Sequence, residues 1–382
     1  MSLKVAAPLR GEAQGELWRA PRRVQPGDRP SMQAQADYDA LVARFASATA
    51  RGVATLVPAD QHVDKDYLDE TGFQAPLLLR SPAQVDLTVP AQDSMTLKEL
   101  ETAIGAERPV RAIDVASQRE LASEMKLKDW MQYFGQSPPQ RDSVLNLISL
   151  ECTGTGLDTK VRPPKMLREI GWVEKHWPAL GGRTAMARAE RARMPKVRLY
   201  CLMSAAGSYT EFHVDFGGSS VWYHLYKGRK LFFVIPPTDA NLDKFATWEA
   251  TYQHGQAPFF GDLVPPGECT VVEMCAGDTM LLPSGWMHAV YTPADSISFG
   301  GNFLSGYHMA TQLHCHAKEK GQQIEGRFFF PEFECVVWYA ATYYTRMLDA
   351  CPAVLSKWEK RDLPLLVDAL RLWLSGGTRT GA

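Results

Sequence analysis

The chain has 382 residues, of which 45% are apolar and 22% are charged, and its formal net charge is -2. This composition is ordinary for a globular protein, and the balanced charge excludes a strong overall attraction to nucleic acid or anionic membranes. The seven cysteines include no C-x-x-C pair, which argues against a disulfide framework and against a zinc module within the chain.

The first segment, residues 1–33, mixes Gly, Pro, Arg and Gln without apolar periodicity, which predicts a flexible extension. The chain has no run of 18 apolar residues, and its amino terminus lacks the charged-then-apolar pattern of a signal peptide. We therefore expect a soluble intracellular protein.

Residues 34–198 predict an α/β region of short elements. A helix is expected from Asp37, short strands at GVATLVP and APLLLRSP, and a helix at MTLKELETAIG, where Thr96 and Glu99 have capping-box spacing. The β-prone run SVLNLISLE contains Asn146, whose amide must find a partner in an apolar strand. Neighbouring backbone would suffice as that partner.

One stretch, residues 179–198, is locally basic. A solvated loop or helix face is the ordinary interpretation of such a run, and a contact to an acidic partner or to the DNA backbone is the alternative. Its cationic residues are Arg183, Arg188, Arg191, Arg193, Lys196 and Arg198.

Residues 199–304 contain short β-rich runs separated by Gly and Pro turns, which predicts an antiparallel double-sheet jelly roll. His213 and Asp215 lie two apart, so in an extended strand their side chains point to the same face. His288, at a predicted strand end in LLPSGWMHAVYTP, would complete a 2-His-1-carboxylate set for Fe(II). The H-x-D tripeptide alone is equally compatible with a solvated or core pair.

Lys230 lies in the apolar run KLFFVIPP, where a buried ammonium group would require an anionic partner. The alternative is a lysine that faces water on an edge strand. Gly217 and Gly218 directly after Asp215 predict a tight bend or a close backbone approach. Residues 239–255 predict a polar helical excursion outside the sheets.

Residues 305–375 predict a helical module of three helices, and residues 376–382 predict a tail. The helices are expected at GYHMATQLHCHAKEK, FPEFECVVWYAATYYTRML and LPLLVDALRLWLSGG. His314 and His316 are two apart on the first of them, which places their side chains on different faces. We therefore expect neither to be a metal ligand.

Two long segments, YTEFHVDFGGSSVWYHLYKGRK and AGDTMLLPSGWMHAVYTPADSISFGGNFL, resemble the Jumonji C (JmjC) oxygenases. The resemblance is to the histone lysine demethylase branch whose members often carry a PHD finger, a module that the cysteine pattern does not provide here. The patches NLISLE, GWVEKHWP and FFPEFE extend the resemblance to roughly residues 75–375.

The resemblance implies a mainly β fold with α additions, in which a cupin-like double-stranded β-helix lies between N-terminal α/β elements and C-terminal helices. It implies Fe(II), 2-oxoglutarate and O2 as cofactors, with His213, Asp215 and His288 as catalytic metal ligands. It also implies a nuclear protein that removes methyl groups from lysine in histone tails and releases formaldehyde. The implied 2-oxoglutarate contacts are Thr210, Lys230, Tyr223, Asn146 and Asn302.

Two other functions remain open at this stage. A JmjC protein or RNA hydroxylase would leave a stable hydroxyl group and release no formaldehyde. A chromatin-binding scaffold with a silent site is the non-enzymatic alternative, and the presence of the three metal-ligand candidates together with Lys230 argues against it.

Overall fold

The computed structural model describes residues 43 and 45 and the ranges 52–178, 185–252, 258–321 and 329–376. The extension predicted at residues 1–33 lies outside the described residues, as does the tail after residue 376. The helix predicted from Asp37 also lies outside them, apart from residues 43 and 45.

The N-terminal part of the described chain alternates short strands and short helices. Its strands are β1 Thr55–Leu56, β2 Leu77–Leu79, β3 Pro109–Val110, β4 Ile113–Asp114, β5 Arg119–Glu120, β6 Met125–Lys126 and β7 Leu145–Glu151. Its helices are α1 Lys65–Thr71, α2 Leu97–Ile104, α3 Leu127–Phe134, α4 Leu167–Ile170, α5 Trp172–His176 and α6 Ala185–Arg193. The prediction for α2 is confirmed, because Thr96 and Glu99 form a reciprocal capping box at its start.

Six antiparallel strands form the centre of the molecule, all within residues 199–304. They are β8 Tyr200–Ser204, β9 Ser208–His213, β10 Ser220–Ile235, β11 Thr270–Cys275, β12 Thr279–Leu282 and β13 Met287–Phe303. The long strands β10 and β13 pair with each other, β11 and β12 join β10, and β8 and β9 join β13. This arrangement confirms the predicted antiparallel jelly-roll core.

The N-terminal elements extend this core at two edges. Strand β2 pairs with β12, and β7 pairs with β8, so the full order runs β1-β2-β12-β10-β13-β8-β7-β4-β5. The mainly β fold with α additions is therefore confirmed. Because β7 extends the same sheet, it brings Asn146 beside the strands that carry the candidate site.

Alternation along β10 divides its apolar residues between two cores. Phe233 and Ile235 pack in a cluster with Phe212, while Phe232 and Val234 pack in a second cluster. All of these side chains are buried. Burial of each contributes roughly 1.5–3 kcal/mol, which makes β10 a rigid platform for any functional residue that it carries.

The excursion between the strands β10 and β11 contains helix α7, Asp239–Tyr252. The helix itself is confirmed, and one of its faces is polar and exposed as predicted, but the opposite face is apolar and buried. Phe245 and Trp248 are buried, and their rings stack at 5.6 Å and also lie 5.4 Å from the ring of Phe260. The aromatic residues recur three apart on one helical face, a weak pattern that polar neighbours obscure.

The chain ends in a helical module formed by α8 Met309–Gly321, α9 Phe333–Ala350 and α10 Lys357–Leu374. Tyr344 joins it to the N-terminal region, because its hydroxyl accepts from Trp172 Nε1 at 3.1 Å. The predicted start of the last helix at Leu363 is wrong: Ser356 and Glu359 form a capping box, and the helix begins earlier. Among the described helices, none combines the length and the apolar character that a membrane span requires.

Candidate metal and cosubstrate site

Two paired strands bring the three predicted metal ligands together. His213 at the end of β9 is opposite His288 at the start of β13, and their ring centroids lie 4.2 Å apart. Asp215 follows two residues later, with Oδ2 3.8 Å from His288 Nε2. One ligand atom from each of the three residues lies within 4.8 Å of the others, and in the described part of the chain this is the one such group that could hold a metal ion.

The tautomers of the two histidines suit metal binding. His213 Nδ1 lies 2.8 Å from the carbonyl oxygen of Glu211, and His288 Nδ1 lies 3.0 Å from that of Trp286. A carbonyl oxygen only accepts, so each Nδ1 carries a proton, and in the neutral ring this tautomer leaves the lone pair on Nε2. Burial, together with the neighbouring His213, lowers the pKa of His288 to about 4, which keeps that imidazole neutral. These donors fit a divalent transition metal.

The bend predicted after Asp215 is confirmed. Gly217 and Gly218 have φ values of 61° and 59°, the left-handed region that favours glycine. Each also lies against the C-terminal module, since a Cβ on Gly217 would meet Phe330 at 2.9 Å and one on Gly218 would meet Cys315 at 2.8 Å. At positions 217 and 218, therefore, both the backbone conformation and the available space favour glycine over any other residue.

Asn302 lies beside a predicted metal ligand rather than beside Lys230. Its Nδ2 donates to Asp215 Oδ1 at 3.3 Å and to Ser219 Oγ at 3.0 Å. Asn302 pairs across the sheet with Val221 at the start of β10. Its contact with Asp215 orients that carboxylate. Asn302 also lines the same cavity as Lys230.

Lys230 is buried in the centre of β10, with 3% of its surface exposed, so the alternative of an edge-strand lysine facing water is wrong. Its Nζ donates to Ser204 Oγ at 2.9 Å and to Thr292 Oγ1 at 3.0 Å. No ion pair joins Lys230 to a carboxylate of any described residue. Burial lowers the pKa of Lys230 to about 7, because an ammonium ion is poorly stabilised away from water.

Thr210 and Asn146 form a polar pair next to this lysine site. Asn146 Nδ2 donates to Thr210 Oγ1 at 3.1 Å, so its partner is a side chain and not the neighbouring backbone. Asn146 Oδ1 is buried and has no hydrogen-bond partner. A buried acceptor without a partner is costly, so we expect this oxygen to bind a polar group that the described residues do not supply.

Tyr223 is the remaining predicted cosubstrate contact. It is buried on β10, and its hydroxyl donates to Ser298 Oγ at 2.8 Å. Burial raises the pKa of Tyr223 well above its usual value, so the phenol stays a neutral donor.

A single cavity of about 930 Å³ contains the metal-ligand candidates and most of the predicted cosubstrate contacts. His213, Asp215 and His288 line it together with Thr210, Tyr223, Lys230 and Asn302, whereas Asn146 lies one hydrogen bond behind Thr210. Helices α7 and α8 contribute further lining residues, which include Phe245, Glu249 and Glu319. The volume is sufficient for a small dicarboxylate and a lysine side chain together.

The sequence analysis did not identify Ser204, Thr292 and Ser298, which hold Lys230 and Tyr223. Serine and threonine are common in strands, so nothing marks these three by type. Their positions opposite the site follow from the register of β8 and β13, which includes irregularities in the β10–β13 pairing. The hydroxyl residues at alternate strand positions are the one sequence pattern that could have indicated them.

The two histidines of α8 lie outside the group formed by His213, Asp215 and His288. His314 is exposed, and His316 stacks on Phe333 with ring centroids 4.0 Å apart. His316 Nε2 also lies 3.4 Å from Glu334 Oε1, which links α8 to α9.

The basic segment is partly engaged in ion pairs. Arg193 binds Glu332, and Arg198 binds Asp158. Arg188, Arg191 and Lys196 are exposed, and Arg183 lies outside the described residues. Lys196 also lines the mouth of the cavity, so part of the segment borders the site.

A match to a known family covers the six central strands, and matches to known proteins extend beyond them. The family described as "JmjC domain, hydroxylase" matches residues 200–303. The zebrafish (Danio rerio) protein "Histone lysine demethylase PHF8" is 38% identical over 288 residues, which cover 75% of this chain and 26% of that protein.

Two further relatives give similar values. "Lysine-specific demethylase 7B" of Danio rerio is 37% identical over 321 residues, covering 82% of this chain and 52% of that protein. "JmjC domain-containing histone demethylation protein 1" of Cryptococcus neoformans is 37% identical over 300 residues, covering 67% of this chain and 34% of that protein. The chain thus spans about a quarter to about a half of the length of these curated relatives.

Proposed function

Because the chain belongs to the JmjC family, we propose that it is an Fe(II)- and 2-oxoglutarate-dependent dioxygenase that demethylates N-methyl-lysine in histone tails. The observation that carries this proposal is the position of Lys230. A buried ammonium without a described carboxylate partner lines the same cavity as a His-Asp-His group whose ligand atoms lie within 4.8 Å of one another. One half of this arrangement suits a metal ion, and the other suits an organic anion.

His213, Asp215 and His288 are the residues that would hold Fe(II). Three protein ligands on one side of an octahedral ion leave three positions for other donors. The backbone carbonyls that accept from each Nδ1–H fix the two rings, and Asn302 fixes the carboxylate. These contacts set the donor atoms before any metal arrives.

Lys230 and Thr210 would bind the distal carboxylate of 2-oxoglutarate, with Asn146 and Tyr223 as further polar contacts. A desolvated carboxylate is stable only when it is paired and hydrogen-bonded. The Lys230 ammonium supplies the charge, and the surrounding hydroxyl groups supply hydrogen bonds. Because Ser204 and Thr292 already restrain the ammonium, the Lys230 side chain would lose little conformational entropy when 2-oxoglutarate binds.

Iron, 2-oxoglutarate and dioxygen, when bound, supply hydroxylation of an N-methyl group, whose hemiaminal then releases formaldehyde, with succinate and carbon dioxide as the other products. The residues of this chain contribute alignment and exclusion of water. Leu282, Phe232 and Val290 give the cavity an apolar lining near the metal-ligand group. Such a lining favours a methyl group over water at that position.

We propose a methylated histone tail as the substrate and the nucleus as the site of action, in line with the printed names of the relatives. The exposed Arg188 and Lys196 offer a surface for the DNA backbone of a nucleosome next to the cavity. Such a contact would be independent of DNA sequence and would weaken steeply with salt.

The test is mass spectrometry of a panel of methylated histone peptides incubated with the protein, Fe(II), ascorbate and 2-oxoglutarate. The expected result is a loss of about 14 Da per methyl group with formaldehyde release. Lys230→Met should abolish the reaction at limiting 2-oxoglutarate, whereas Lys227→Met, an exposed lysine of the same strand, should not. A gain of about 16 Da without formaldehyde would instead support a hydroxylase.

A further inference from the structure

Helix α8 contacts two turns that adjoin the candidate metal ligands Asp215 and His288. Its Cys315 and Thr311 lie against Gly218 in the turn after Asp215, and Thr311 also lies against Gly285 in the turn before His288. Ser284 Oγ donates to the carbonyl oxygen of Gly218, which joins the two turns directly. The helix therefore packs against the loops rather than against the strands.

One polar contact crosses from this helix to the turn. The backbone N–H of Gly217 donates to Glu319 Oε1 at 2.6 Å. The other carboxylate oxygen of Glu319, Oε2, is buried without a partner, so the turn is the described hydrogen-bond partner of this group. The Glu319 carboxylate has little access to water, so loss of this hydrogen bond would leave a buried polar group without a partner, which is costly.

The bond has a direct consequence for Asp215. Strand β9 ends at His213, so pairing in the sheet does not extend to Asp215. The Asp215 backbone is extended, and its carbonyl oxygen accepts from Gly218 N at 2.9 Å. The direction of the Asp215 side chain thus depends on the Phe216–Gly218 turn as well as on the hydrogen bond from Asn302, and Glu319 anchors the middle of that turn.

We propose that Glu319 is a positioning residue for the metal site: through the Gly217 N–H it fixes the turn that aims the Asp215 carboxylate at the metal. The inference rests on the proposed function, because it assumes that His213, Asp215 and His288 bind a divalent ion. It makes the C-terminal helical module part of the metal site, although no residue of the module is a ligand.

The experiment is a titration of the purified full chain with Co(II), followed by visible absorption, without cosubstrate or turnover. Glu319→Ala should weaken Co(II) binding by roughly 10–100-fold and alter the absorption bands, as expected for loss of a residue that orients a ligand. Glu319→Gln keeps an oxygen acceptor for Gly217 N–H and should restore both affinity and spectrum. Glu319→Asp withdraws the carboxylate from the turn and should behave like Glu319→Ala, which provides a second variant if the alanine form does not fold.

The matched control is Glu334→Ala. It removes ion-pair contacts between α8 and α9, at Lys320 and His316, without touching the turn. Wild-type Co(II) affinity in Glu319→Ala, or equal losses in Glu319→Ala and Glu334→Ala, would overturn the proposal while leaving the proposed function intact. Absence of Co(II) binding by the wild-type chain would overturn both.

Discussion

His213 and His288 face each other across strands β9 and β13, with ring centroids 4.2 Å apart and both Nδ1–H groups held by backbone carbonyls. Two strands that are far apart in sequence thus bring the two imidazole rings to one point. Asp215 completes the group from the adjoining turn.

Loss of a metal ligand should remove activity but not the fold. We expect His213→Ala and Asp215→Ala to abolish metal binding and turnover, because two remaining donors hold a divalent ion weakly. Both side chains are only partly buried, so the metal-free melting temperature should change by no more than a few degrees. Metal titration and thermal denaturation of the metal-free protein measure the two effects; metal affinity equal to wild type would contradict the assignment.

Lys230→Met should weaken 2-oxoglutarate binding and stabilise the protein in the absence of cosubstrate. Removal of one member of a buried charge pair costs about 2–5 kcal/mol of binding free energy. In the free protein the ammonium is buried without a carboxylate, so an apolar side chain of similar size is expected to raise the melting temperature. Calorimetric titration measures the 2-oxoglutarate affinity and thermal denaturation measures the melting temperature, with Lys227→Met as the control for both. An unchanged 2-oxoglutarate affinity would remove Lys230 from the site.

The pKa of Lys230 predicts a pH dependence for cosubstrate binding. In the free protein this pKa is lowered to about 7 by burial, and a bound carboxylate should raise it. At pH 8 most of the free lysine is neutral, so 2-oxoglutarate binding should take up a proton, and the affinity should fall as the pH rises above 7. Calorimetry in buffers with different ionisation enthalpies measures the proton uptake.

The guanidinium of Lys230→Arg stays charged over this range, so any binding by that variant should show no proton uptake.

The pH dependence of folding has the opposite sign to the pH dependence of 2-oxoglutarate binding. Between pH 7 and pH 10.5 the unfolded chain holds the Lys230 proton more tightly than the folded chain, so this group's contribution to the free energy of unfolding rises with pH. Proton release on 2-oxoglutarate binding would contradict the account.

The Asp215 turn should tolerate no side chain. Gly218→Ala would place a Cβ at 2.8 Å from Cys315 in a left-handed backbone conformation, and we expect it to displace the turn and to impair metal binding. Gly154→Ala is the matched control, because Gly154 also has a positive φ but has no heavy atom within 4 Å of the added Cβ. Similar metal affinities in the two variants would show that packing on α8 is unimportant.

The candidate metal-ligand group could be predicted from the sequence because each of its parts has a local pattern. An H-x-D pair in a β-prone run and a histidine after a Pro-Ser-Gly turn are each visible in the sequence, and Lys230 is conspicuous in an apolar strand. The prediction that His213 and Asp215 share one face of a strand assumed that the strand includes both residues. Strand β9 ends at His213, so the side chain of Asp215 is directed by the following turn, which Glu319 holds.

Other parts of the site depend on distant pairing. Ser204 and Thr292 reach Lys230 from strands 26 and 62 residues away, and their register passes irregularities that no local pattern encodes. Glu319 lies 102 residues from Gly217, on a helix whose sequence indicates only an amphipathic face. Tertiary packing, and not residue type, makes these three residues part of the site.

The central claim is demethylation, and the most direct test is the stoichiometry of formaldehyde to succinate with a methylated histone peptide. We predict one formaldehyde for each methyl group lost and a matching amount of succinate, with neither product formed by Asp215→Ala under the same conditions. Succinate formed in a peptide-dependent reaction without formaldehyde, and with the methyl groups retained, would contradict the claim.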